Sequence, residues 1–288
     1  MAGGKVFCIG NGTSRNGFDL ESLRQYGRIY GCNALYRDFT PDVLCAVDQG
    51  IMHEIYQSGY CDNNEAYFRD WTKVPAHHYE MMLYAGLTKT DVDNVKEKWD
   101  GLYENDRGDA KEFVMHGSNM AGIVNIIRQK GDQYEKYINK SYAYVSWQKP
   151  DDKAHSIVEM MDNDKDLGWA CGAMSGYISI KKEKPKELYL IGHDLKSNNN
   201  KVNNLYAGTR HYVTKEHAPT PHTNWIQQWS QVFMENPDIN FFKVNPDEGE
   251  VSQPIDEWRR FKNLSYINYP TLDKRLGLWY IINNAKEN

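Results

Sequence analysis

No run of apolar residues in this chain approaches the 18 or so that a membrane-spanning helix needs. No signal-peptide pattern opens it. No contact with a membrane and a cytoplasmic location are therefore expected. Cysteine is scarce, with five residues at 8, 32, 45, 61 and 171, and none forms a Cys-x-x-Cys pair or the Cys/His spacing of a zinc site. Cys8, Cys32 and Cys45 stand in apolar surroundings and read as small buried hydrophobes of a reducing compartment. Basic charge is not in surplus either. The net charge is −5, so no broad field for non-specific grip on nucleic acid is expected. No internal repeat, no low-complexity linker and no Asp-x-Asp metal motif at a strand end is visible. What the chain does have is 20 Tyr and 8 Trp, side chains that build amphipathic pocket walls. Its 288 residues allow one large or two modest domains.

The stretch Lys5–Ser14, KVFCIGNGTS, organises the reading. Val6, Phe7, Cys8 and Ile9 have the length and composition of a buried parallel strand. Gly10-Asn11-Gly12-Thr13-Ser14 then forms a turn in which backbone N–H groups can approach an anion. A helix starting near Asp19-Leu20-Glu21-Ser22 would add a positive dipole end. Arg28–Asn33 and Asp42–Asp48 read as second and third strands. Three strands thus end in Asn11, Asn33 and Asp48, and parallel strands would bring these to one sheet edge.

Residues 50–112 are aromatic and charged, with a helix expected over Asp91–Tyr103, and read as an insertion over that edge. His77-His78 reads as a loop pair. Phe113–Arg128 reads as a loop with a candidate nest at Gly117-Ser118-Asn119, then an apolar helix. Ser141–Trp147 alternates as a strand should, and Ile157, Met160 and Met161 suggest one apolar helical face. In Gly168–Leu195 a small-residue turn (Cys171, Gly172, Ala173, Ser175, Gly176) opens a short helix. Leu188–Gly192 is the clearest buried strand and runs into His193-Asp194. Residues 196–224 carry no regular signal, and an irregular stretch of this length inside a domain suggests a functional lid. Trp225–Met234 reads as an amphipathic helix and Ile239–Val244 as a last strand. The basic-aromatic cluster Trp258–Lys262 reads as a docking face of a C-terminal segment.

The ordered motifs GNGTS, CNALY, AVDQGI, CGAMSG, YLIGHDL, a Tyr-rich lid and APTPHTN resemble the bacterial CMP-sialic-acid sialyltransferases of the single-domain, Rossmann-like kind, and their bacterial and phage relatives. The similarity covers roughly residues 4–50 and 168–246. It implies an α/β fold: a Rossmann-like, doubly wound, mostly parallel sheet with an insertion and a lid, a glycosyltransferase-A-like variant. The domain expected spans 1–246, with the insertion at about 51–112, the lid at about 196–224, and 247–288 as an extension packed on it. In the family the first turn holds the nucleotide phosphate, which falls here on Gly10, Asn11, Gly12 and Ser14. Cys32-Asn33 matches the Cys-Asn after the second strand. Asp48 stands where the family has a donor-contacting Asn. The family's Ser-Gly pair falls on Cys171-Gly172, with Ser175-Gly176 as the alternative. Gly192 and Asp194 match the Gly-x-Asp that would hold ribose or base. Tyr206 and Tyr212 match two lid tyrosines that assist the departing phosphate, and His222 matches the catalytic His before a helix.

The function this implies is sugar transfer from a nucleotide-sugar donor, the co-substrate, to a hydroxyl acceptor. His222 would act as general base, with no obligatory cofactor or metal. The carboxylate of Asp48 and the thiol of Cys171 keep the donor at nucleotide-sugar in general. The acceptor is open among a glycan, a small molecule and a hydroxymethylated base in phage DNA. Other readings are a nucleotide-binding module without chemistry and a phosphoryl or pyrophosphoryl transferase. The oligomeric state is open, a homo-oligomer included.

Overall fold

The computed structural model describes residues 4–69, 71–74, 102–104, 113–115, 144–147, 152–162, 167–197 and 199–277. In chain order they form β1 (Lys5–Ile9), β2 (Arg28–Cys32), β3 (Val43–Ala46), α1 (Gln49–Gln57), α2 (Tyr60–Asn63), β4 (Ala66–Phe68), β5 (Trp71–Val74), β6 (Leu102–Glu104), β7 (Phe113–Met115), β8 (Tyr144–Trp147) and β9 (Ala154–Ser156). Then follow α3 (Cys171–Glu183), β10 (Glu187–Ile191), α4 (Thr223–Glu235), β11 (Asn240–Asn245), β12 (Leu264–Asn268) and α5 (Tyr269–Leu276). Two compact units result, Met1–Cys45 with Gly168–Asn288, and Ala46–Leu167. The inserted unit is thus wider than the 51–112 expected from composition.

The first unit carries a parallel sheet in the order β12-β11-β10-β1-β2-β3. Counting these six strands along the chain, the order is 3-2-1-4-5-6, that of a Rossmann-like fold, with the switch point between β1 and β10. Their apolar runs are continuous because both faces are covered: Phe7, Cys8, Ile9 and Leu188 through Ile191 are all fully buried. Helix α3 packs on β1, β2 and α4, and α5 packs on β11 and β12. Phe233 of α4 sits edge-on to Phe241 and Trp258 at 4.8 and 5.0 Å. Trp258 is 1 % exposed and donates to Ile226 O at 3.1 Å. The Trp258–Lys262 cluster is therefore a docking face, and Arg259 beside it turns outward to Asp256.

The C-terminal segment does more than pack on the sheet, as was expected of it. It supplies β12, in register with β11 from Phe241↔Leu264 to Asn245↔Asn268. Its sequence, LSYIN, is only half buried and so lacks the apolar run that announces the inner strands.

In the second unit β4 pairs parallel with β9, and a separate sheet runs β5-β8-β7-β6, parallel between β5 and β8 and antiparallel beyond. The strand expected within 141–147 is β8. The helical face expected on Ile157, Met160 and Met161 is a single 3-10 turn, Ile157–Met160, opened by a Ser156/Glu159 capping box and stopped by extended Met161. The last two residues of the expected 91–103 helix fall in β6, and Phe113–Met115, expected as loop, is β7. The rest of that helix, His77-His78, Gly117-Ser118-Asn119 and the helix expected up to Arg128 lie outside the described residues.

Candidate functional site

The site lies at the carboxyl ends of β1, β2 and β10, at the switch point. Gly10 N donates to Ile191 O and Gly12 N to Gly192 O, both at 2.8 Å. A Cβ on Gly10 would lie 2.5 Å from Gly192 O, and one on Gly192, at φ +69°, 2.7 Å from Gly10 O. This approach of two backbones is what requires glycine at both positions.

The turn after β1 departs from the phosphate cradle its sequence suggests. The expected helix is a single 3-10 turn, Glu21–Leu23, preceded by another, Thr13–Arg15. Such short turns align too few peptide dipoles for a helix-end field. The N–H groups are also engaged: Thr13 N donates to Asn203 Oδ1 at 2.9 Å and Ser14 N to Asp194 Oδ2 at 3.1 Å. Ser14 Oγ donates to Asp194 Oδ1, and Asn203 Nδ2 to Asp194 Oδ2 at 2.9 Å. A Cβ on Gly12 would overlap the Asp194 carboxylate. The anion in this cradle is the chain's own Asp194. Of the groups expected to grip phosphate and ribose, Ser14 and Asp194 bond one another across the two strand ends and Gly12 N bonds Gly192 O.

Arg15, which no sequence motif singles out, is a buried cation of the site. It is 7 % exposed. Its Nε donates to Gly10 O at 2.7 Å and its Nη2 to Tyr206 OH at 3.2 Å. Asn11 Nδ2 donates to Cys32 O at 3.1 Å, while its buried Oδ1 accepts no hydrogen bond among the described residues. Asn33 takes a left-handed φ of +47° to open the 3-10 turn Asn33–Arg37.

The stretch around Tyr206 and Tyr212 folds onto this turn. Ala34 N donates to Tyr212 OH at 3.3 Å, the Tyr206 and Tyr212 ring centroids are 5.9 Å apart, and the Arg37 guanidinium lies 5.9 Å from each. Burial, with Asp38 nearby, pushes the Tyr206 phenol up to about 12, so it keeps its proton at neutral pH.

The CGAMSG block is not a turn. It is the start of α3, whose N-cap is Ala170 and which no side chain caps. The Cys171 thiol donates to Cys45 O at 2.6 Å. Ser175 is fully buried, accepts from the Cys32 thiol at 3.6 Å and donates to Gly172 O at 2.7 Å. The side chains of Cys171 and Ser175, expected to contact the donor, thus bond to the chain's own atoms. At Cys171 and Gly172 the opening backbone of a 13-residue helix, with its positive end, is what the block presents. The two glycines one turn apart make room for neighbours. A Cβ on Gly172 would stand 2.9 Å from His193 Cε1, and one on Gly176 2.5 Å from Trp229 Cη2. The Cys8 thiol is pushed up to about 12, chiefly by burial, so this buried Cys is inert.

Two further buried groups stand at the strand ends. His193 is 5 % exposed, lies edge-on to Trp229 at 5.2 Å, and its Nε2 has no hydrogen-bond partner among the described residues. Burial, and then the charge of Lys243, bring it down to about 3, so the ring is neutral. Lys243, 1 % exposed on β11, donates to Asn245 Oδ1. Burial brings it down to about 8 against the opposing pull of Asp194. The signal for both was a polar residue inside or directly after an apolar strand.

His222 is the N-cap residue of α4, half-buried, its ring 5.4 Å from that of Trp225. Burial lowers its pKa and the charge of Asp194 raises it, so His222 stands within electrostatic reach of Asp194. The structure thus gathers Asn11, Asn33, Gly192, Asp194, Tyr206, Tyr212 and His222 in the first unit. Asp48 belongs to the second, exposed at the N-cap of α1. Among the described residues no three His, Cys, Asp or Glu side chains form a metal-binding group, and no helix is long and apolar enough to cross a membrane. Comparison of the chain with protein-family models, with curated proteins and with solved structures finds no match in any of the three.

Proposed function

We propose that this protein is a glycosyltransferase that moves a sugar from a nucleotide-sugar to a hydroxyl acceptor, on a glycosyltransferase-A-like variant of the Rossmann-like fold. The observation that carries the reading is the grouping of Asn11, the α3 start, the two lid tyrosines and His222 at one switch point, where open α/β sheets take nucleotides. Asn11 Oδ1 is a buried acceptor that a ribose hydroxyl or a base amine would satisfy. Tyr206, protonated at neutral pH, is a donor for charge developing on the leaving phosphate. His222, neutral and half-buried, takes the acceptor's proton. The lid over residues 196–224 excludes water from the transfer. Nothing in this sequence of steps calls for a metal.

A thermal-shift panel of CMP, UMP, GMP, AMP, their diphosphates and common nucleotide-sugars, with and without EDTA, tests the reading. A ligand at ~100 times its Kd adds ~2.7 kcal/mol. One nucleotide and its sugar conjugate should shift the midpoint selectively and regardless of EDTA. A panel without any shift would refute it. A second reading, a binding module without transfer, is favoured by the self-filled cradle: selective binding with no turnover of the conjugate would decide for it.

A further inference from the structure

We propose that Arg15 is the residue that reads ligand charge in this site, taking an anionic oxygen of a nucleoside phosphate on Nη1 in place of the backbone cradle. The inference rests on the nucleotide reading above and adds to it the group that distinguishes a nucleotide from a nucleoside.

Three observations lead there. First, the cradle is occupied, because the N–H groups of Gly10, Gly12, Thr13 and Ser14 all have acceptors and the Asp194 carboxylate fills the space over Gly12. A phosphate arriving at this turn meets a like charge. Second, Arg15 is a buried cation with no carboxylate at ion-pair distance among the described residues, and buried charges are ordinarily paired. Nε and Nη2 are held by Gly10 O and Tyr206 OH, and Nη1 has no protein acceptor among the described residues. Third, the guanidinium is placed. Its stem crosses the switch point over Gly192, where a Cβ would lie 2.9 Å from Arg15 Cδ, and its Cζ lies 6.0 Å from the Tyr206 ring centroid. Guanidinium is the planar donor fork that phosphate oxygens accept from.

The geometry also sets the direction of the neighbouring proton. Arg15 can only donate, so the Tyr206 oxygen accepts from it and the phenolic proton is left for the Asp38 carboxylate. Asn11 Oδ1, the nearby orphan acceptor, suits the hydroxyl or amine of the same ligand. The ligand class is a nucleoside phosphate ester.

The test compares CMP with cytidine, UMP with uridine, GMP with guanosine and AMP with adenosine by calorimetry, on the full chain and on Arg15→Gln and Arg15→Lys. The monophosphate that binds the wild type best should lose at least tenfold in affinity in Arg15→Gln, with its nucleoside unchanged, and Arg15→Lys should recover part of the loss. A folded Arg15→Gln that keeps the full preference for the monophosphate overturns the proposal. Should the variants not fold, arginine Nε–H spectra of the wild type decide. The slowly exchanging Nε–H of this buried arginine shifts on adding the monophosphate, and an unmoved signal at saturation overturns it. If no nucleotide binds the wild type, the nucleotide reading falls. Arg15 is then judged with inorganic pyrophosphate, which must still stabilise the wild type and not Arg15→Gln.

Discussion

Acid should loosen the first unit chiefly through one ring. His193 is neutral in the fold at about 3, where an unfolded chain has it near 6.5. The folded value is depressed, so between these two values the unfolded chain holds a proton that the folded one does not. Stability is therefore intact above pH 6.5 and falls as pH drops through the window toward 3. At pH 5 the unfolded ring lies about 1.5 units below its pKa, and at about 1.4 kcal/mol per unit the loss from pH 7.5 is about 2 kcal/mol. Lys243, at about 8 in the fold, is mostly protonated in both states over this range, and the small slope it adds near pH 7.5 is common to wild type and variant. The perturbation is His193→Asn. It sets a new baseline, because a packed ring beside Trp229 and Gly172 is lost, but the quantity of interest is the change between two pH values. Urea unfolding at pH 7.5 and 5.0, read by deuterium labelling of the β1 and β10 peptides, gives that change for each protein. The wild type should lose about 2 kcal/mol more than the variant. Equal losses, within about 0.5 kcal/mol, would mean that the ring is solvated or already charged and would refute the reasoning.

If His222 is the base, His222→Ala should lower turnover by about 10²–10⁴-fold with the fold intact. Because burial depresses its pKa, the acid limb of kcat/KM should have its midpoint below 6.5 and activity should rise with pH through it; a midpoint above 6.5 would exclude it. Lys243→Met should raise stability at pH 7 by about 1–2 kcal/mol. It removes a buried charge about 2.5 units out of place and leaves Asn245 Oδ1 without its donor. The wild type should close that gap as pH climbs from 8 to 10.5, in chemical unfolding at each pH, and the variant should not. Gly176→Ala drives a methyl into Trp229 and should cost about 1–3 kcal/mol, read as a lower midpoint in thermal unfolding.

Much of the sheet was legible because parallel strands covered on both faces must be apolar without interruption, which is how KVFCI, VLCA and ELYLI read. Strand β12 was not, since an edge strand needs only half the burial. The start of α3 reads as a turn in sequence because Gly172 and Gly176 lower helix propensity; His193 and Trp229 occupy the spaces they leave, and packing overrides the local preference. The site was half legible. The residues that follow strands were found from position alone. What they bond to was not, because Ser14 and Asp194, or Arg15 and Tyr206, are brought together only by the order of strands in space. Arg15 in particular follows a polar turn and has in sequence every mark of a surface residue.

The pairing of Lys5 with Glu187 through Ile9 with Ile191 has a consequence for synthesis. The central strand emerges from the ribosome with one flank lacking its partner, and its partner is made only after the whole second unit. At about 5–20 residues per second the wait is ~10–40 s. Through that interval Val6, Phe7, Cys8 and Ile9 form an apolar strand with an open edge, the template on which aggregates grow. Slowing translation after residue 167 should then lower the soluble yield, and a chaperone that covers short apolar strands should restore it.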